Sequence, residues 1–348
     1  MMKIIKKIPN CLYVFVLIML LIVDALGAGA ETIVKKIRFA QISEAYETLM
    51  AFCPSLRSVS ERYFVLFLML TLIVLVAFLL KTFYKEILYV LGHFSFEKGG
   101  CGLGKETKKK YWVKEYILNQ ASCFVNGVPE DLVITEIDKE IKNMQSKAGK
   151  GSIGYYGVAH IPLVFLAGYD LGDQSRIHVF HRKRQNDEVF EELSDGANYD
   201  LRFEDAEVKQ KRKKSNELIV AVSTSLRITE DEIKSTFGND KHIVMLSLNN
   251  QGYDQLDKYE SIERVTSEAW DCIRKYSKEY DVRRIHLLIA SSVGFAFYMG
   301  RKCSAQIDPQ VIVYHYQNGR YTWGISVNGE GSSKQIIVLN KANVEEDL

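Results

Sequence analysis

Hydrophobic and polar positions divide the chain into an apolar N-terminal part and a longer part in which short apolar runs alternate with amphipathic ones. From Tyr63 to Leu80 the residues read YFVLFLMLTLIVLVAFLL, with Thr71 the one clearly polar position. As a helix this run is about 27 Å long, close to the ~30 Å hydrocarbon core of a bilayer. The pattern predicts a transmembrane helix over 63–84, with Phe83, Tyr84, Lys81 and Lys85 at one interface. An earlier apolar run, Leu12 to Val23, follows Lys3, Lys6 and Lys7 and leads through Asp24 to Ala28-Gly29-Ala30. These features describe either a cleavable signal peptide or a short first transmembrane helix over about 11–27. Asp24 would then lie near the outer end of that helix, reaching interfacial water.

Beyond Lys85 the periods change. Gly99 to Lys105 reads GGCGLGK and completes GxxxxGK, but Glu106 stands where Ser or Thr would hold magnesium, so 85–110 reads as a Gly/Lys-rich flexible linker. Tyr111–Gln120 reads as a short amphipathic helix. A second helix is expected over 132–144, with Leu132, Ile134, Ile137, Ile141 and Met144 on one side. An α/β half is expected over about 151–195. A polar connector follows, 195–215, carrying Lys209, Lys211, Arg212, Lys213 and Lys214, and a second half over about 216–330. In the second half Glu217–Ser223 and Ile243–Leu248 read as buried strands. Thr229 and Glu232 have capping-box spacing. Tyr259, Ile262, Val265, Ala269, Trp270, Ile273 and Tyr276 fall on one helical face. The run Ile285–Ala290 is a further strand, and Val311–Tyr316 and Arg320–Val327 flank the hairpin signal Asn318-Gly319.

The halves repeat each other. GVAHIPLVFLAGYD followed by RIHVFH (from Gly157) parallels IASSVGFAFYMG followed by QVIVYH (from Ile289), with Ala159 set against Ala290. Each reads strand, turn, apolar helix with a glycine, then a strand ending in His.

Composition narrows the function classes. A net charge of +2 over 348 residues argues against a non-specific polyanion binder. The cysteines (Cys11, Cys53, Cys101, Cys123, Cys272, Cys303) show neither CxxC nor metal spacing, which fits a reduced compartment. Lysines before the first run, and eight lysines against four glutamates in 81–115, place the N-terminus inside, Glu31–Arg62 outside and everything after Lys81 in the cytoplasm.

No G-x-S-x-G, H-E-x-x-H, complete Walker loop or well-placed G-x-G-x-x-G is present. No metal or cofactor is expected. His178, His181, His286 and His315 read as structural; His160, at a strand end beside Pro162, stands apart. Open α/β sheets bind ligands beyond the carboxyl ends of their strands. That rule selects His160-Ile161-Pro162, Ser223-Thr224-Ser225 and Ser291-Ser292. There, hydroxyls and helix-terminal N–H groups can hold phosphates. Tyr314, Tyr316 and Trp323 are candidates for stacking on bases, with strand packing the equal alternative. Arg182, Arg227, Arg301 and Lys302 are candidates for phosphate neutralisation.

The stretches IASSVGFAFYMG and VIVYHYQNGRYTWGISV resemble the second half of a SAVED domain, the sensor module of bacterial CBASS anti-phage systems. The resemblance implies N-terminal transmembrane α-helices (1–84, first run retained) plus a cytoplasmic α/β domain (111–348). That domain would be built of duplicated Rossmann-like, CARF-like halves around one pseudo-symmetric pocket. It further implies a cyclic oligonucleotide ligand, expected to be a cyclic trinucleotide, and not a DNA or RNA duplex. Ligand-driven self-association, disruption of the inner membrane and abortive infection would follow, without catalysis. A membrane-anchored nucleotide hydrolase or ring nuclease, and a structural membrane adaptor, are the competing expectations.

Overall fold

The computed structural model describes residues 66, 69–79, 85–96, 102–149, 151–172, 177–182, 189–209, 215–252, 255–329 and 333–339. The expected helix over 11–27 lies outside them. The chain divides into two compact units, Met1–Lys85 and Glu86–Leu348.

In the first unit residues 66 and 69–79 are helical. Their burial is inverted relative to a helix on a protein core. The polar Thr71 is buried, while Met69, Leu72 and Ile73 are about 60% exposed (62%, 60% and 62%). Among the described residues no helix is long and apolar enough to cross a membrane.

The second unit repeats one pattern twice. The first half runs β1 (Glu86–Phe94), α1 (Lys105–Lys110), β3 (Tyr111–Asn119), α2 (Leu132–Ala148), β6 (Ser152–Val158), α3 (Ile161–Leu171), β7 (Ile177–Arg182) and β8 (Val189–Glu192). The second runs β10 (Glu217–Ser223), α4 (Glu230–Phe237), β11 (His242–Ser247), α5 (Tyr259–Glu279), β12 (Arg284–Ala290), α6 (Val293–Lys302), β13 (Gln310–Gln317) and β14 (Arg320–Val327). Short strands β2 (Gly102–Leu103), β9 (Glu207–Lys209) and β15 (Gln335–Val338) extend the sheets, and β4 (Phe124–Val125) pairs with β5 (Val128–Pro129).

The sheets are ordered β2-β8-β7-β6-β1-β3 and β15-β14-β13-β12-β10-β11-β9. In each, four neighbours are parallel and the last of them pairs with an antiparallel strand. The central strands are buried on both faces, so they read as unbroken apolar runs such as LIVAV in β10.

The same interval separates Ser152 from Arg284, His160 from Ser292, Phe165 from Phe297 and Gly168 from Gly300. That register is one residue away from the pairing of Ala159 with Ala290. The helices α3 and α6 cross at their glycines. A Cβ on Gly168 would run into the Phe297 carbonyl oxygen, and one on Gly300 into that of Phe165, the mirror-image contact. Tyr155 stacks on Phe297 at 4.2 Å, and the core on this side of both sheets is continuous. Burying side chains of this size contributes about 1.5–3 kcal/mol each.

Several expectations need correction. The linker expected over 85–110 contains β1, which lies between β6 and the edge strand β3. Tyr111–Asn119 is a strand, not a helix; it sends Tyr111 and Val113 to one core and Tyr116 and Leu118 to the other, so its apolar positions imitate a helical stripe. In α2 the buried residues are Val133, Ile137, Ile141, Met144 and Ala148, while Leu132 is exposed. Within the connector 195–215, Glu207–Lys209 pairs antiparallel with β11 and Leu201 is buried. The capping box of Thr229 and Glu232 is formed, and Asn318 and Gly319 both take positive φ (53° and 84°), as the tight hairpin requires.

Candidate ligand site at the paired helix N-termini

Each half ends its third strand in a turn that feeds a helix. His160 is the extended N-cap residue of α3, and Pro162 follows in the first turn, where its missing N–H costs nothing. Ser292 caps α6 by accepting a hydrogen bond from the Phe295 N–H at 3.4 Å. The first N–H groups of a helix have no intrahelical acceptor and sit at the positive end of its dipole. Those groups are Ile161 in α3 and Val293 and Gly294 in α6. Such paired N-termini suit a phosphodiester.

Each helix start leans on the hairpin of the other half. The His160 ring meets His315 of β13 edge-on at 4.6 Å, and a Cβ on Gly294 would strike His181 of β7. His181 and His315 are the two strand-ending histidines of the repeat. The contacts therefore close a ring from α3 to β13, to the end of β12, to α6, to β7 and back.

His160 is the centre of an aromatic cluster. It is sandwiched between Phe96 at 4.1 Å and Phe124 at 4.6 Å, with Trp323 at 5.8 Å. Ser95 fixes the ring: its Oγ accepts from the His160 N–H at 2.8 Å and bonds Nδ1 at 2.6 Å. Burial, with His315 and His93 nearby, lowers the His160 imidazole to about 3. Burial lowers His315 to about 4. Both are neutral at pH 7, so they offer hydrogen bonds and ring faces without charge. Beneath them His93, also lowered to about 4 by burial, accepts from the Tyr155 hydroxyl at 3.1 Å and donates to Gln120 Oε1 at 3.0 Å. Gln120 passes the chain on to the Val133 carbonyl and Glu136.

The turn Ser223-Thr224-Ser225 builds the edge of the second sheet. Ser223 Oγ accepts from the Ile228 N–H, and the N–H groups of Thr224 and Ser225 both donate to the Ala290 carbonyl. Ser223 and Thr224 are buried by these contacts; Ser225 is half-buried beside Ser291, whose Oγ donates to the Ser292 carbonyl.

The structure thus brings His160, Ile161, Pro162 and Trp323 together, and Ser225, Ser291 and Ser292 share the facing strand edge. Tyr314 and Tyr316 project from the opposite face of β13 to His315. Tyr314 is core, its hydroxyl on His286 Nδ1 at 2.8 Å and its ring against Phe237. Tyr316 donates to Glu232 at 2.5 Å. Trp323 is fully buried, and its Nε1–H has no acceptor among the described residues, which costs about 1–3 kcal/mol. Ser95 and Phe96 were not legible as site residues because the strand that delivers them, β1, lies in what the sequence presents as a linker, and Phe124, on β4, reaches His160 only through the tertiary fold. The strand-ending positions of His181 and His315 were the available signal for those two. Among the described residues no group of His, Cys, Asp and Glu could hold a metal ion.

No curated protein matches the chain. Among solved structures it is similar to the Cap4 SAVED/CARF-domain containing receptor of Acinetobacter baumannii with the cyclic trinucleotide 3'3'3'-cAAA, at 12% identity over 76% of this chain and 58% of that one, with a TM-score of 0.48. The same receptor with 2'3'3'-cAAA gives 13% identity, 76% and 58% coverage and 0.45. The Moraxella osloensis Cap4 receptor gives 12%, 77%, 57% and 0.41. The chain therefore spans less than two thirds of the length of these receptors. A protein-family model described as SAVED, the SMODS-associated and fused to various effectors sensor domain, matches residues 137–327, more than half of the sequence. That match takes in β6–α3 and β12–α6, the two strand-to-helix turns of the site, and the chain belongs to the SAVED family.

Proposed function

We infer that this protein is a membrane-anchored sensor-effector. Its SAVED domain binds a cyclic oligonucleotide, specifically a cyclic trinucleotide, between the two halves. Binding drives self-association, and the clustered apolar segments disrupt a bacterial inner membrane. The domain faces the cytoplasm and does no chemistry on its ligand. The observation that carries the ligand is the pseudo-symmetric pair of helix N-termini of α3 and α6 within the SAVED match. A cyclic molecule with repeated phosphates can present one phosphate to each N-terminus, while its bases meet neutral aromatic and imidazole faces.

The membrane reading rests on the apolar run 63–84 and on the inverted burial of its described part, where the apolar side chains face outward and Thr71 inward. A helix apolar all round suits lipid rather than water. Ligand can shift assembly only by binding the assembled state more tightly.

The test is calorimetric titration of the full chain, in detergent or nanodiscs, with cyclic dinucleotides, cyclic trinucleotides and their linear counterparts. Tight binding of one cyclic trinucleotide, with the ring recovered intact, is expected. No binding across the panel by folded protein would overturn the sensor reading. Recovery of the ligand as a linear product would make the protein a ring nuclease instead.

A further inference from the structure

The ligand site lies at the carboxyl ends of β1, β6 and β12, and the opposite end of the first sheet has a surface of different character. Among the described residues β3 is the edge strand and pairs only with β1, and Ile87 lies in register with Trp112 on one face. Ile87 is 42% and Trp112 60% exposed. The residues leading into Trp112 are KETKKK of α1, with Lys108, Lys109 and Lys110 all exposed. Lys114 follows on β3 and holds its ammonium over the Tyr89 ring at 5.2 Å. Lys147, in the last turn of α2, lies over Tyr116 at 6.0 Å. Of the acidic residues here Glu106 pairs with Lys109, Glu192 with Lys110, and Glu86 accepts from the Ser152 hydroxyl, while Glu115 is exposed further along β3.

A tryptophan and an isoleucine on one face of this strand end, with Lys114 on the same face and Lys108–Lys110 at the close of α1 against the other face, is the composition of a surface that inserts its rings among headgroups and its ammonium groups among lipid phosphates. Chain length adds a constraint. The apolar run ends at Leu80 and β1 starts at Glu86. A connector that short spans at most about 20 Å, so any bilayer holding the run is within reach of this end of the sheet.

We propose that the β1–β3 edge, through Ile87, Trp112 and Lys108–Lys110, docks on an anionic lipid surface. β1 has 9 residues and is about 30 Å long, so docking at its start leaves Ser95, Phe96 and the ligand site open toward the solvent. The inference deepens the membrane reading and rests on it.

The sequence contains three tryptophans, and the other two are buried, Trp270 at 1% and Trp323 at 0% exposure. Emission from water-exposed indole therefore reports Trp112. The full chain is reconstituted into phosphatidylethanolamine–phosphatidylglycerol bilayers carrying lipids brominated near the headgroup. The exposed component of the emission is expected to be quenched, and to be missing from Trp112→Phe. With Lys108→Gln, Lys109→Gln and Lys110→Gln combined, quenching should fall on anionic bilayers and not on zwitterionic ones. Protein that resists alkaline extraction, yet keeps Trp112 unquenched by bromolipid and open to aqueous iodide, overturns the docking surface and leaves the membrane reading standing. Protein that is extracted by alkali contradicts the membrane reading. The docking surface is then judged by adding the chain to the same anionic vesicles, where quenching supports it and its absence overturns it.

Discussion

His160, His315 and His93 are held neutral by burial, and this has a consequence for stability. Each has a folded-state pKa depressed from 6.5 to about 3 or 4, so the unfolded chain binds protons that the folded one does not. Stability is complete above pH ~6.5 and falls as the pH drops toward 4, at about 1.4 kcal/mol per pH unit for each imidazole. Denaturant midpoints should fall between pH 7 and 5, before the carboxylates titrate; a flat profile over that range would contradict the buried neutral cluster. Phe96 gives a sharper test of binding. It is 42% exposed on the outside of the His160 stack. Stacking on a base is worth about 1–3 kcal/mol, so Phe96→Ala should weaken ligand binding roughly 5- to 150-fold in calorimetry, with a near-normal melting temperature. Unchanged affinity would remove Phe96 from the site. His160 was legible in the sequence because a polar residue at a strand end before proline marks a helix start. Its partners were not, because proximity between Ser95, Phe124 and His315 is a tertiary fact that no local spacing encodes.

At the level of elements, the crossing of α3 and α6 fixes the geometry of the site. Gly168 and Gly300 each bring one helix against a backbone carbonyl of the other. A methyl group there has no flexible neighbour to displace. Gly168→Ala and Gly300→Ala should each cost about 1–3 kcal/mol in denaturant unfolding and weaken ligand binding, since the N-termini are set by the same crossing. Changes under about 0.5 kcal/mol would mean that the helices part easily. Elements with strong local chemistry were legible: the capping box at Thr229, the Asn318-Gly319 hairpin and the amphipathic face of α5 all form as the pattern predicts. β1 and β3 were not, for a shared reason. A strand apolar on both faces has lost its two-residue period, and β1 also follows closely on an apolar helical run. Periodicity alone cannot separate such a strand from a helix or an interface segment.

The whole sensor unit is one folding pattern used twice, and its duplication was visible in the repeat of GVAHIPLVFLAGYD and IASSVGFAFYMG. The first copy was foreshortened in the sequence because its opening strands were hidden. Two copies facing each other give what neither has alone, two helix N-termini with an aromatic and imidazole wall between them. A ligand bridging the halves should therefore act on both at once. The most direct measurement is amide hydrogen exchange of the full chain with and without a saturating cyclic trinucleotide. Protection is expected together at Ile161, at Val293 and Gly294, and around Phe96, with the C-terminal turns of α3 and α6 unchanged. Protection confined to one half, or found away from these turns while the ligand is bound, would contradict a site shared by the paired helix N-termini.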